Sequence, residues 1–132
     1  AYAAIITCNA DDAALVHGLN DQLMISVSLV SIKSYQAHVD KGIPDEQMIA
    51  FVGVSEPRPD WYEFLHQRGI TCILGVLGNL DKKAETQGDA LYADFVKRGA
   101  DILATDRPLE AHKAIEALYP EKSKNEKYIY GY

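Results

Sequence analysis

Thr105-Asp106-Arg107-Pro108, directly after the apolar run Ile102-Leu103-Ala104, is the part of this chain with the most chemical promise. A Thr-Asp pair leaving a buried strand, with proline opening a helix, occupies the strand end where parallel α/β folds place their ligands. Asp106 can face substrate there, or it can cap the helix that follows. A second polar stretch, residues 78–88, contains Gly78, Asn79, Lys82 and Lys83. Together with Thr105 and Arg107 these could donate to a phosphate at the loops after the last two strands. The plainer reading of Lys82 and Lys83 is solvation of a loop.

Other chemistries find little support. GxGxxG after a strand and GxxxxGK[ST] are both absent, so neither dinucleotide nor P-loop nucleotide binding is indicated. No GxSxG elbow offers a nucleophile. His17, His38, His66 and His112 all fall inside predicted helices and read as solvated side chains. Cys8 and Cys72 stand far apart, outside any metal-ligand spacing, and read as free buried thiols. The predicted strands hold no acid besides Asp101 at the start of the last, and one acid does not make a metal site. The sequence thus assigns no catalytic, cofactor-binding or metal-binding residue to this chain. Asn79, Thr105 and Asp106 remain as possible substrate-wall positions.

These residues need a scaffold, and the chain alternates regularly enough to define one. Apolar or β-branched runs at 2–8, 24–30, 48–54, 70–77 and 101–105 have the length of strands buried on both faces. Helical periods follow each. Asn9 can cap the first helix, with Leu15, Val16 and Leu19 along one face. Ser31 can cap the second, which carries Ile32, Tyr35 and Val39. Pro59 opens the third and Pro108 the last. Lys41-Gly42, Arg68-Gly69 and Arg98-Gly99 end three helices with a cation and a left-handed cap. The pattern predicts about five consecutive βα units around a parallel sheet, with right-handed crossovers. Residues 78–88 are expected to be a long polar loop. The boundaries are a repeat domain over 1–119 and a charged, tyrosine-containing tail over 120–132.

Bulk properties narrow the partners. With 132 residues the chain supports one domain, and 48% apolar residues argue against disorder. A net charge of −6 counts against nucleic acid and anionic membrane surfaces, which call for clustered cations. No apolar run approaches the roughly 20 residues of a membrane span. The core-like strand starting at residue 2, with no initiator Met and no leader, suggests a piece of something larger.

The segment Gly99-Ala100-Asp101-Ile102-Leu103-Ala104-Thr105-Asp106-Arg107-Pro108 resembles the end of the glycerophosphodiester phosphodiesterase family, whose last barrel strand closes with G-x-D-x-I-x-T-D-x-P. The helix and strand over 61–77, and the strand and helix over 2–14, are similar to earlier units of that family. Where many members carry Trp-Thr-Val-Asn, this chain has Gly75-Val76-Leu77-Gly78-Asn79, so Asn79 matches and the Trp is missing. The resemblance implies the C-terminal half of a TIM (β/α)8 barrel, since a whole barrel takes about 250 residues. It implies a parent that hydrolyses glycerophosphodiesters with a divalent metal (Mg or Ca) and a histidine acid/base. The His-Arg pair, the Glu and Asp metal ligands and the second catalytic His come from the family's N-terminal half. No His-Arg dipeptide or strand Glu-x-Asp occurs here.

The expected function is therefore that of the C-terminal part of such a hydrolase, inactive alone. The alternative is a small non-enzymatic α/β binding module of flavodoxin-like size. The compartment stays open; many relatives of this kind are exported. Partners are expected to be the missing N-terminal barrel half or a second copy in a twofold dimer, because a five-strand segment leaves two edges unpaired. Its inner face is expected to be lined by Ile6, Val27, Val52 and Ile73 or their alternates.

Overall fold

A computed structural model describes residues 3–120. Five parallel strands, β1 (Ala4–Ile6), β2 (Met24–Ser28), β3 (Met48–Phe51), β4 (Thr71–Gly75) and β5 (Ile102–Ala104), lie in chain order across one sheet. Six helices alternate with them: α1 (Ala10–Leu19), α2 (Ile32–Asp40), α3 (Pro59–His66), α4 (Asn79–Gln87), α5 (Ala90–Lys97) and α6 (Pro108–Glu116). Strand order never reverses. A flavodoxin-like sheet would place the second strand outside the first; this one curls onward as a half-barrel.

Local chemistry sets most boundaries. The Asn9 side chain accepts the Asp12 N–H at 2.8 Å and starts α1. Ser31 and Ser34 exchange side-chain and backbone bonds at the start of α2, a reciprocal cap. Gly42, Gly69 and Gly99 all have positive φ at helix ends. The predicted strand starting at residue 2 begins at Ala4, and the tail from 121 onward lies outside the described residues.

The core lies between sheet and helices. Ile25, Val27, Leu29, Met48, Ala50, Val52, Cys72, Leu74 and Val76 are buried there against Ala13, Tyr62, Leu65, Tyr92, Phe95 and Ala111. The other strand face is concave, with a cavity of about 570 Å³ lined by Ile6, Ser26, Ser28, Phe51, Ile73 and Ala104 among others. Ile6 and Ile73 are thus on the expected inner side, but Val27 and Val52 face the helices. In β2 the alternation of Ser26 and Ser28 with Ile25 and Val27 puts the polar face inward, whereas β3, apolar on both faces, carries no such signal at Val52. Gly75 keeps this inner face passable, because a Cβ there would meet the Phe51 ring at 3.0 Å and Val54 at 2.8 Å.

Four further expectations change. Residues 78–88 are mostly helix, not loop: α4 buries Leu80, Asp81 and Ala84, and the acid within that stripe hides its period. Leu15 and Leu19 are 65% and 78% exposed, and Val16 alone of the three packs on the core. His38 is buried, with Nδ1 2.8 Å from the Ser34 carbonyl oxygen, so it is not a solvated side chain. Cys72 is buried as expected but Cys8 is exposed.

Candidate functional site at the strand C-termini

One buried carboxylate organises the rim after β4 and β5. Asp81 sits in the first turn of α4 at 5% exposure. Its Oδ1 accepts the Thr105 hydroxyl at 2.6 Å and the Tyr92 hydroxyl at 2.7 Å. Its Oδ2 accepts the Asp106 N–H at 2.9 Å. The Thr105 oxygen also accepts the Arg107 N–H at 2.9 Å, closing the turn on itself. Arg107 reaches back to Asp89 at 2.7 Å. Three segments distant in sequence are therefore locked by one side chain.

The electrostatics agree with this geometry. Burial pushes the Asp81 carboxyl up, but the bonds from Thr105, Tyr92 and the Asp106 N–H, with the Arg107 charge, outweigh it and hold it below the usual carboxylate range. Burial raises the Tyr92 phenol, and its bond to Asp81 raises it further. Asp89 holds the Arg107 guanidinium firmly protonated. Asp81 is thus an anion used for positioning. Replacing Tyr92 with Phe should cost about 1–2 kcal/mol and move the acid-unfolding limb to higher pH, because Asp81 loses one of the bonds that favours its charge. Urea titrations at neutral pH and near pH 3 check both effects.

The three positions expected from the sequence fall on one rim but not in one role. Thr105 is spent on Asp81 and Arg107. Asn79 is exposed at the start of α4, directly after Gly78. Asp106 is exposed, two residues past Ala104, with its backbone fixed by Asp81. It does not cap α6: Arg107 holds the N-cap position, and no side chain caps that helix. Proline in the first turn, which has no N–H to satisfy, lessens the need for a cap.

The phosphate-donor set separates in the same way. Lys83 pairs with Glu56, which also binds Arg98 at 3.0 Å. Those two cations hold the Glu56 carboxyl low. With Arg107 also paired, Lys82 is left as the exposed cation of the set. Among the carboxylates of this rim, Glu56, Asp81 and Asp89 each bond to other partners, while that of Asp106 is exposed. The grouping of His, Cys and Asp that does come within ligand reach is His66, Cys72 and Asp101, at the opposite end of the strands. There the Asp101 Oδ2 lies 2.7 Å from His66 Nε2 and accepts the Cys72 N–H at 2.7 Å. Burial, then the Asp101 charge, pushes the Cys72 thiol up to about 12. Asp101 reads there as a strut between β4 and β5.

Sequence reasoning missed Asp81 and Tyr92. One signal was present: an acid inside an apolar helical stripe, Leu80-Asp81 with Ala84, demands a buried partner.

No family model matches the sequence, and no curated protein matches it. Among solved structures, a glycerophosphoryl diester phosphodiesterase from Parabacteroides distasonis superposes with a TM-score of 0.79 at 28% identity, over 89% of this chain and 42% of that one. This chain thus spans less than half the length of its structural neighbour. The likeness to a glycerophosphodiester phosphodiesterase and the half-barrel form, both expected from the sequence, are found in three dimensions.

Proposed function

We propose that this chain is the C-terminal part of a phosphoric diester hydrolase acting on glycerophosphodiesters, where it builds one wall of the substrate site. The observation that carries the proposal is the match to a glycerophosphoryl diester phosphodiesterase over nearly all of this chain and under half of that one. The described rim offers no carboxylate cluster for a divalent metal and no histidine beside Asp106. By the resemblance, the acid/base histidine and the Mg or Ca ligands would come from a preceding half of the barrel.

In this reading the chain's own residues shape and orient. Asp81 fixes the Thr105–Asp106 turn, so that whatever Asp106 meets, it meets from a set position. Asn79 offers an uncharged donor and acceptor at the neighbouring strand end. With Arg107 and Lys83 already neutralised, the wall is close to uncharged apart from Asp106 and Lys82, so the phosphate's charge must be met from the other half.

Hydrolysis of glycerophosphodiesters with Mg or Ca present tests this. The chain alone should turn over no faster than buffer. The same chain joined to an N-terminal barrel half of the family should gain at least the roughly 10²–10⁴-fold that a placed acid/base provides. Robust turnover by the chain alone would overturn the inactivity claim. No turnover in the joined protein would favour a non-enzymatic binding module.

A further inference from the structure

We infer that His66, Cys72 and Asp101 form a binding site for a zinc-type divalent cation at the base of β4 and β5. The site lies away from the proposed substrate rim and does not depend on the hydrolase reading. Three different elements supply the ligands. His66 is the last residue of α3, Cys72 lies in β4, and Asp101 directly precedes β5. Gly69, at φ 74°, turns the chain from α3 into β4 and returns the strand to the imidazole. Pairing of the two strands, with the Asp101 N–H donating to the Cys72 carbonyl oxygen at 3.0 Å, adds the carboxylate. One nitrogen, one sulfur and one oxygen from these side chains all lie within 4.8 Å of one another.

The donor set selects the metal. Imidazole, thiolate and carboxylate with an open fourth position suit Zn²⁺, whereas Mg²⁺ and Ca²⁺ take oxygen ligands. Asp101 is already oriented, because its Oδ2 accepts the Cys72 N–H at 2.7 Å. Such outer bonds steady a metal-binding carboxylate. His66 Nε2 lies 2.7 Å from that same oxygen. Donors around a tetrahedral zinc stand about 3.3–3.8 Å apart, so imidazole and carboxylate part slightly while the sulfur closes by about 1 Å. The first two side chains are 38% and 40% exposed and have room to move. The thiol gives up little, since its contact with the Ile70 carbonyl oxygen is long, at 3.9 Å.

Burial sets the order of events. Cys72 is 0% exposed, so a cation arriving from solvent meets His66 and Asp101 first and the sulfur last. The S–H bond then breaks, its proton passes to solvent, and a sulfur–metal bond forms. Burial and the Asp101 charge favour the thiol, which lowers affinity at neutral pH and makes the site one of moderate strength. The bound ion ties the end of α3 to both strands, so it favours the folded chain.

Cobalt(II), a spectroscopic stand-in for zinc, tests this in a Cys8→Ser background, which removes the exposed second thiol. The full chain should bind Co²⁺ with a sulfur-to-cobalt charge-transfer band in the near ultraviolet. Zinc should abolish the band, and excess Mg²⁺ or Ca²⁺ should leave it. Cys72→Ala should lose it. His66→Gln, at a partly exposed position, should bind cobalt at least ~10-fold more weakly. Its metal-free urea unfolding, followed by Trp61 fluorescence, shows that the fold is kept. Zinc at about 100 times its Kd should raise the folding constant of the Cys8→Ser protein about 100-fold, and that of His66→Gln far less at the same concentration. No band in the Cys8→Ser protein, a band that persists in a folded Cys72→Ala, or equal cobalt affinity in His66→Gln would overturn the inference. Asp101 would then be a strut only. Should Cys72→Ala fail to fold, His66→Gln decides alone.

Discussion

Asp81→Ala should lower the stability of the chain by about 2–4 kcal/mol at neutral pH, a large share of the ~5–15 kcal/mol typical of a domain. The substitution strands three donors at once: the Thr105 and Tyr92 hydroxyls and the Asp106 N–H. Asp81→Asn keeps the shape but puts an amide where one oxygen was, so one of those donors meets another donor. It should lose somewhat less, and its stability should depend less on pH. The sign follows from the depressed carboxyl of Asp81. Its contribution is complete above the unfolded carboxylate value of about 3.9 and is lost as pH falls through the lower folded value. Wild type should therefore weaken toward Asp81→Asn below about pH 4. Fluorescence of Trp61, the single tryptophan, gives a urea-unfolding readout across that range. Equal pH dependence in the two proteins would mean Asp81 is not the anion that holds the turn.

Gly99→Ala is expected to have the next largest effect, about 2–4 kcal/mol. The residue has φ of 113°, a conformation that side chains other than glycine rarely adopt. An added Cβ would also come within 3.0 Å of the Tyr62 ring and 3.2 Å of its Cβ. Tyr62 is 2% exposed and cannot give way without disturbing the core. Gly42→Ala is the natural control, since its φ is 80° but nothing lies within 4 Å of the added carbon. It should cost only about 1 kcal/mol, the backbone part of the effect. If the two variants unfold at the same urea concentration, the contact with Tyr62 contributes nothing and the α3–β5 packing is looser than described.

Elements governed by near neighbours could be read without the fold. The Asn9 and Ser31 caps, the glycines after Lys41, Arg68 and Arg98, and prolines 59 and 108 each act within about one helical turn, so the βα rhythm was legible along the chain. The turn at 99–108 was legible for the same reason, as a contiguous pattern. The segment 78–88 was not, because the buried acid in α4 breaks an apolar period that only its distant partners complete. Which strand face turns inward was hidden at Val52, because β3 is apolar on both sides; at Val27 the flanking Ser26 and Ser28 did mark the other face. Asp81 shows the limit most directly. It meets Tyr92, Thr105 and Asp106 at separations of 11, 24 and 25 residues, and nothing local requires those residues to converge. Only the closing of β4 beside β5, with α4 laid over their ends, brings them within hydrogen-bond distance, where desolvation makes an unpartnered carboxylate too costly to keep.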